Sequence, residues 1–407
     1  MSGTTIGERI REHRKIRHLT VRELAARLNI SVSALEKYEN GSRNPAPGLV
    51  VRMARALSIG PERLTGQPFI NGAESEDQVQ AVIPELRRIM LTYNSPDDLD
   101  ASPRPLPVLA AEMEQVSLMR QNGAYVPMAP LLPPLLSELT HVALATRGRQ
   151  QQQAFGWLAR GYRAANSLSH KLGYHDLSLT AIDRVHWAAD RSGQSMLQVT
   201  AAYLRAGAMM RAGAFGSARR ILTELMGEVE RLAPEQCLTP ADQAVTGAIL
   251  LKLAVLEARD GHQERSAGYL TEAQWHADRV GDTTVQELSF GPTNVRVHQI
   301  AALLDLGDVE QALVRLAEWG ANQGEDEWVL PPDFAAERVS HHHIDVASAR
   351  LAAGDRTRSF ASLQRARRAA PNHTRFHPTV RSTAATLVRL DRHATDEVTA
   401  FARWAGV

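Results

Sequence analysis

The first 65 residues carry side chains of the types that contact nucleic acids. They contain 12 Lys and Arg against 6 Asp and Glu, a net charge of +6, whereas the rest of the chain carries a net charge of −5. Basic side chains neutralise phosphates, so this uneven distribution indicates that one end of the chain faces a nucleic acid. Small domains often carry a few surplus charges, and the charge alone does not decide the function.

The histidines raise the question of a metal site. His341, His342 and His343 are consecutive, so on a helix their side chains point about 100° apart and cannot share one ion. His373 and His377 are four residues apart in a segment that contains Pro and Asn, and no third ligand stands near them in the sequence. We therefore predict that these histidines bind no metal, and that His342 or His343 faces a groove.

No spacing of residues matches a catalytic or cofactor motif. The sequence lacks a nucleophile motif, a phosphate-binding glycine loop and a dinucleotide fingerprint. The single cysteine, Cys237, excludes an internal disulfide and a cysteine-based metal site. We expect a protein that is not an enzyme and that uses no cofactor.

Local signals predict five short helices at the N-terminus. Residues 6–18 have the period of an amphipathic helix. Thr20 and Glu23 form a capping-box pattern that begins a second helix, and Ser31 can cap a third helix from Val32 to Asn40. The fourth and fifth helices are predicted at 49–57 and 61–64. Two short helices joined by a tight turn form a helix-turn-helix, whose second helix enters the major groove of DNA.

The segment LTVRELAARLNISVSALEKYENGSRNP resembles the phage-repressor-like (XRE-type) helix-turn-helix, over about residues 6 to 65. The resemblance implies side chains at base edges and at phosphates. Those at base edges are Val32, Ser33 and Lys37, with Glu36 on the same face. Those at phosphates are Ser31, Asn40 and Arg43. The resemblance also implies a structural ion pair between Arg14 and Glu39.

One position departs from this family. Val21 stands where a polar residue, often Gln, usually contacts the DNA backbone, so that contact is missing or is supplied by Arg22. A helix-turn-helix that makes only protein contacts is an alternative, which the net charge of the region and its polar third helix argue against.

The rest of the chain predicts an all-α fold built from repeats. Residues 66–78 have the composition of a linker, and a helix follows around Val79–Tyr93. Turns then recur every 40 to 50 residues, each with a glycine, a mostly small residue five positions later and an aliphatic residue nine positions later. The glycines are Gly123, Gly173, Gly213, Gly261, Gly307 and Gly354. We predict three regions, 1–66, 67–104 and 105–407, the last an α-solenoid of about six helical hairpins.

This array is similar to tetratricopeptide-type repeats with longer helices. A DNA-binding domain on such an array resembles the bacterial regulators in which the array binds a signalling peptide, including those of quorum sensing. The whole chain also resembles a large group of actinobacterial XRE–repeat regulators. The resemblance implies a transcriptional regulator that binds a peptide or small molecule in a concave groove; an array that recruits another protein is the alternative.

Pro292 suits the first position of a helix, which leaves backbone N–H groups at residues 293–295 for a carboxylate or phosphate. A helix start with local capping by Asn294 is the alternative. We predict that polar side chains on the first helix of each hairpin, together with two aromatic neighbours, line the concave groove. They are Asn166, Tyr203, Arg205, Phe290, Asn294, His298, Arg338 and His342.

The sequence also bears on location and assembly. It has no apolar run of 18 residues and no signal peptide, which predicts a cytoplasmic, nucleoid-associated protein without membrane contact. Helix-turn-helix domains bind paired half-sites as dimers, so we expect a homodimer on a palindromic operator. The candidate dimer contacts are Val79–Tyr93 and the final turns around Phe401 and Trp404.

Overall fold

A computed structural model describes residues 5–68, 79–232, 238–285, 287–390 and 396–407. Most of the predicted linker, residues 69–78, and Cys237 lie outside the described residues. The described part is nearly all-α, as the sequence predicts, with a helix-turn-helix domain followed by stacked helices.

The five N-terminal helices lie where the local signals place them. They are α1 (Ile6–Ile16), α2 (Val21–Leu28), α3 (Val32–Glu39), α4 (Pro47–Ala56) and α5 (Pro61–Thr65). The predicted capping box is present: the hydroxyl of Thr20 accepts from the Glu23 N–H at 3.2 Å, and the Glu23 carboxylate accepts from the Thr20 N–H at 2.7 Å. Ser31 caps α3 in the predicted way.

Apolar side chains from all five helices form one core. Ile10, Leu24, Leu35, Met53 and Leu64 are fully buried there. The crossing of α1 and α3 depends on a residue that the sequence analysis did not single out. A Cβ at Gly7 would lie 2.4 Å from the carbonyl oxygen of Tyr38, so only glycine lets the two backbones approach this closely.

The helices that follow occupy most of the chain. Before residue 212 they are α6 (Ile83–Leu91), α7 (Leu106–Gln121), α8 (Tyr125–Met128), α9 (Leu132–Ala145), α10 (Gly148–Leu172), α11 (His175–Ser192) and α12 (Ser195–Arg211). After it they are α13 (Phe215–Leu232), α14 (Pro240–Asp260), α15 (Gln263–Val280), α16 (Pro292–Leu306), α17 (Val309–Ala321), α18 (Ala336–Ala352), α19 (Arg356–Ala369), α20 (Pro371–Phe376), α21 (Pro378–Leu390) and α22 (Asp396–Trp404). None of the described helices is long and apolar enough to span a membrane.

The repeated glycines mark turns in the stack, as predicted. All six have positive φ, between +65° and +87°, a region that glycine adopts without steric cost. The small residues five positions later are buried at the start of the following helix, among them Ser178, Ser266 and Ser359 at 1% exposure or less. Close packing of paired helices therefore follows from a turn glycine and a small side chain.

A two-stranded hairpin interrupts the helices, which the sequence analysis did not predict. Strands β1 (Thr283–Val285) and β2 (Leu288–Phe290) pair antiparallel, with Thr283 opposite Phe290. Each strand has three residues, too few for an alternating pattern to stand out in the sequence. The hairpin ends at Gly291, where α16 begins with Pro292 as predicted.

The described residues form two compact units. One contains Met1–Gln67 with Met209–Val407, and the other contains Pro68–Ala208. This grouping differs from the predicted linear division into three regions, because the helix-turn-helix domain packs directly on helices of the C-terminal half, through α4 against α14 and α16.

Candidate nucleic-acid interface

The second helix of the helix-turn-helix presents a polar face to solvent. Leu35 and Tyr38 turn inward and are buried, so the opposite side of α3 faces outward. The outward side chains are Val32, Ser33, Glu36 and Lys37, hereafter the recognition face. Val32 is 36% exposed, an apolar side chain of the kind that can contact a thymine methyl group. Lys37 can donate to a guanine or to a phosphate.

An ion pair inside the domain fixes α3 relative to α1. Nε of Arg14 lies 2.5 Å from Oε1 of Glu39, and its Nη2 lies 2.8 Å from Oε2, a bidentate arrangement. Only about a tenth of either side chain is exposed. Nη1 of Arg14 also donates to the carbonyl oxygen of Leu19. The hydrogen bonds to Glu39 raise the pKa of Arg14, so Arg14 keeps its positive charge.

The side chains predicted to contact phosphates flank the recognition face. Ser31 and Asn40 are exposed, at the two ends of α3, and Arg22 is exposed on α2. Oδ1 of Asn40 accepts from the backbone N–H and hydroxyl of Ser42, which orders the turn after α3. Arg43 is half-buried, with its guanidinium 5.7 Å from the centre of the Tyr38 ring.

Asp305, at the end of α16, connects the domain to the C-terminal helices. Its Oδ1 accepts a hydrogen bond from the backbone N–H of Gly48 at 2.9 Å, and its Oδ2 accepts from Nε of Arg259 at 2.8 Å. Gly48 lies in the first turn of α4, where backbone N–H groups lack partners within the helix. A negative charge at this end of a helix is also stabilised by the helix dipole. Burial lowers the pKa of Arg259, but Asp305 and Asp345 outweigh it and the net shift is upward.

Arg389, near the end of α21, makes a second contact with the domain. Its guanidinium donates to the backbone carbonyl oxygens of Asn40, at 2.6 Å, and of Gly41. These carbonyls lie at the C-terminal end of α3, where a positive charge is favoured. Gly41 has φ of +71°, and a Cβ there would lie 2.8 Å from Nη2 of Arg389. Both contacts leave the recognition face exposed.

A small cavity lies beside these contacts. It is lined from the domain by Arg43, Asn44, Ala46 and Pro47, and from the C-terminal helices by residues that include Arg259, Asp305, His341, Asp345 and Thr379. Arg43 therefore lies both next to α3 and at the contact with the C-terminal helices.

Three of the predicted ligand-binding residues lie in the unit of residues 68–208. Asn166 is buried, and its Oδ1 accepts from the hydroxyl of Ser178 at 2.7 Å, which joins α10 to α11. Tyr203 is 8% exposed, whereas Arg205 is exposed. Asn166 thus stabilises the packing of α10 on α11. The hydrogen bond from Ser178 explains why a polar side chain stands at this buried position.

Five more lie in the other unit, three of them inside it. The Phe290 ring covers Gly247, where any Cβ would overlap it, so Phe290 is a packing residue. His342 is 2% exposed and packs edge-on to Trp328. Asn294 is 1% exposed and donates through Nδ2 to the Ser289 carbonyl oxygen at 2.6 Å, while its Oδ1 has no hydrogen-bond partner among the described residues.

The remaining two, His298 and Arg338, are half-buried. The pKa of His298 is lowered to about 3. Burial is the largest cause, and the positive charge of the nearby Arg338 is the second. His298 also interacts with the carbonyl oxygen of Asn294, one turn earlier, at 2.8 Å. His298 therefore lies near both Asn294 and Arg338, whereas Asn294, Phe290 and His342 belong to the packed interior.

The predicted anion site at the start of α16 is filled by the chain itself. Asp282 accepts from the Thr293 N–H at 3.0 Å and from its hydroxyl at 2.6 Å. The Val295 N–H is bonded to the Gly291 carbonyl oxygen. The prediction of N–H groups open to a ligand is therefore wrong for Thr293 and Val295, because an internal carboxylate already caps this helix.

The prediction that His373 and His377 lack a third potential ligand is also wrong. His341 lies beside them, and one nitrogen from each of the three rings falls within 4.8 Å of the others. The sequence analysis compared His341 only with its chain neighbours His342 and His343, which indeed point elsewhere. Helix packing brings His341 to His373 and His377, which lie more than 30 residues later in the chain.

Comparison with known proteins supports the assignment of the N-terminal domain. Residues 10–64 match the family model described as helix-turn-helix. A Bacillus subtilis (strain 168) protein named Uncharacterized HTH-type transcriptional regulator RghRB is 32% identical over 90 residues. The match covers 22% of this chain and 59% of that protein, so the similarity does not extend to most of the stacked helices.

Proposed function

We propose that this protein is a DNA-binding transcriptional regulator and that its recognition face reads base edges in the major groove. The observation that carries the proposal is the outward, mostly polar side of α3, on a domain that matches the helix-turn-helix family and lies in a segment with a net charge of +6. The name of the Bacillus subtilis relative is consistent with this function. We assign the chain no enzymatic role.

In this proposal the side chains divide by the part of DNA that they contact. Val32, Ser33, Glu36 and Lys37 contact bases, and Ser31, Asn40, Arg43 and Arg22 contact phosphates. Base contacts determine which sequence is bound, whereas phosphate contacts position the domain and supply salt-dependent affinity. Arg14 and Glu39 hold α3 in place without contacting DNA.

The stacked helices, which we propose to be tetratricopeptide-like, control the DNA-binding domain. The contacts of Asp305 with Gly48 and of Arg389 with Asn40 and Gly41 support this role, because they fix the domain against α16 and α21. A ligand that favours one arrangement of these helices over another changes DNA affinity by that difference, typically about 1–3 kcal/mol.

For the ligand we propose a peptide or small molecule with an anionic group, bound near Asn294, His298 and Arg338. The support is the positive charge of Arg338, which can pair with the anionic group, and the unsatisfied Oδ1 of Asn294, which can accept a hydrogen bond from a donor elsewhere on the ligand. Recruitment of another protein by the stack is the alternative role. We further propose a homodimer on a palindromic site, since two recognition helices one DNA turn apart bind more tightly than one.

Selection of binding sites from a pool of randomised DNA duplexes tests the proposal. The full-length chain should enrich one sequence, with half-sites about 34 Å apart if it binds as a dimer. The logarithm of its affinity should fall linearly with the logarithm of salt concentration. Lack of enrichment together with salt-independent affinity would refute the function.

A further inference from the structure

Three histidines from three segments of the C-terminal half converge at one point. His341 is on α18, His373 is on α20, and His377 stands between α20 and α21. One nitrogen of each ring lies within 4.8 Å of the others, and the ring centres are 5.4–5.8 Å apart. Two nitrogens bound to one tetrahedral zinc ion stand about 3.4 Å apart, so small side-chain rotations bring these rings to ligand geometry.

A chain of hydrogen bonds sets the orientation of His373, which is fully buried. The Thr374 hydroxyl donates to the Ala370 carbonyl oxygen, so the Ser340 hydroxyl is the donor in its 2.9 Å contact with Thr374. Ser340 then accepts from Nδ1 of His373 at 3.0 Å. Nδ1 therefore carries a proton, and in the neutral ring Nε2 carries the lone pair. Metal-bound histidines in proteins are commonly held by a hydrogen bond of this kind at the other nitrogen.

His377 also offers a lone pair. Its Nδ1 accepts from the backbone N–H of Thr379 at 3.3 Å, a long hydrogen bond that a metal–nitrogen bond can replace. The second candidate cluster in the described residues, formed by Glu257, Asp260 and His262, differs in this respect. Arg219 already forms ion pairs with both of its carboxylates, and the cluster is an ion-pair network.

Glu337 adds a carboxylate next to the histidines. It precedes His341 by one helical turn on α18, and its Oε1 lies 3.5 Å from Nε2 of His373. At this distance the carboxylate attracts a positive charge to Nε2, either a proton on that nitrogen or a metal ion between the two atoms. The separation matches that of two ligands on one tetrahedral ion.

We propose that His341, His373 and His377 bind a divalent transition-metal ion of the zinc class, with Glu337 as the fourth ligand. Three imidazoles and a carboxylate favour zinc-like ions over calcium or magnesium, which prefer oxygen ligands. His341 also lines the cavity beside Arg43 and Asn44. An ion here joins α18 to the segment that leads into α21, the helix whose Arg389 holds the helix-turn-helix domain.

Zinc titration of the full-length chain, first stripped with a chelator, tests this site. Calorimetry with a competing chelator should give one Zn²⁺ per chain, and Co²⁺ should produce visible absorption bands of a four-coordinate site. His341→Gln and His377→Gln should each weaken zinc binding by at least about 100-fold, and Glu337→Gln by about 10-fold or more. His343→Gln, on the same helix, and His262→Gln, in the other cluster, are the matched controls and should bind as the wild type does.

Thermal unfolding separates loss of the site from loss of the fold. Zinc should raise the Tm of the wild type and of both control variants, and should leave the Tm of His377→Gln unchanged, because a ligand stabilises only the state that binds it. Failure of the wild type to bind zinc, or wild-type affinity in both His341→Gln and His377→Gln, would overturn the proposal. The outcome is independent of DNA binding, so it does not depend on the proposed function.

Discussion

The carboxylate of Asp305 accepts a hydrogen bond from the backbone N–H of Gly48 at 2.9 Å, although 257 residues separate them in the chain. The same carboxylate holds Arg259 at 2.8 Å, and only 4% of its side chain is exposed. This one side chain therefore satisfies a backbone donor of the helix-turn-helix domain and a cation of the C-terminal helices, and its removal affects both.

Asp305→Ala should loosen the contact between the domain and the C-terminal helices. It leaves Arg259 without its hydrogen-bonded carboxylate and costs about 3 kcal/mol of stability, the usual cost of breaking a buried ion pair. Hydrogen exchange followed by mass spectrometry should show faster exchange at the start of α4. Asp326→Ala removes an exposed carboxylate and is the control. Equal exchange in the two variants would mean that Asp305 does not hold the domain.

Arg14→Met should destabilise the helix-turn-helix domain by about 3–5 kcal/mol, because Glu39 then remains buried without a counter-ion. Urea unfolding of the full-length chain, followed by hydrogen exchange of peptides from α1 and α3, measures this effect. Arg11→Met removes an exposed charge from the same helix and should have little effect. A similar loss in both variants would show that the ion pair contributes nothing specific.

Stability should fall as the pH decreases from 7.5 to 5.5. Burial, with a smaller contribution from Arg338, lowers the pKa of His298 to about 3; burial, with contributions from Arg365 and Arg350, lowers the pKa of His343 to about 4. The unfolded chain protonates both below about pH 6.5 and the folded chain does not, so each costs about 1 kcal/mol across this range. Urea unfolding at the two pH values measures the loss.

His343→Gln removes one of these titrating groups and should reduce the pH dependence. The comparison must use the difference between pH 7.5 and 5.5 within each protein, because the substitution itself can change stability. An identical difference in the wild type and in His343→Gln would show that His343 does not titrate as described.

Features determined by neighbouring residues could be predicted from the sequence. The capping box of Thr20 and Glu23 and the turn glycines depend on spacings of a few residues, which survive in any tertiary context. The ion pair of Arg14 and Glu39 joins residues 25 positions apart. Its prediction rested on the resemblance to the helix-turn-helix family and not on a local pattern.

Features determined by packing between distant segments of the chain could not be predicted from the sequence. Asp305 stands in a turn-like segment, and nothing in its neighbours indicates that its carboxylate reaches Gly48. His341 joins His373 and His377 only because α18 packs against α20 and α21. Burial of His342 depends on which side of α18 faces its neighbours, and the sequence pattern does not show that side. Phe290 lies in β2, a strand too short to be predicted from the sequence.

The central claim, that α3 reads the DNA sequence, is tested most directly by measuring affinity for the selected DNA site. The measurement compares the wild-type full-length chain with Lys37→Ala and Lys15→Ala. Both lysines are exposed in the helix-turn-helix domain, but only Lys37 lies on the recognition face. Lys37→Ala should lose about 1–3 kcal/mol and change the preferred base at one position in each half-site, whereas Lys15→Ala should keep the same preference. Unchanged sequence preference in Lys37→Ala, or an equal change in Lys15→Ala, would contradict the assignment of α3 as the helix that reads DNA.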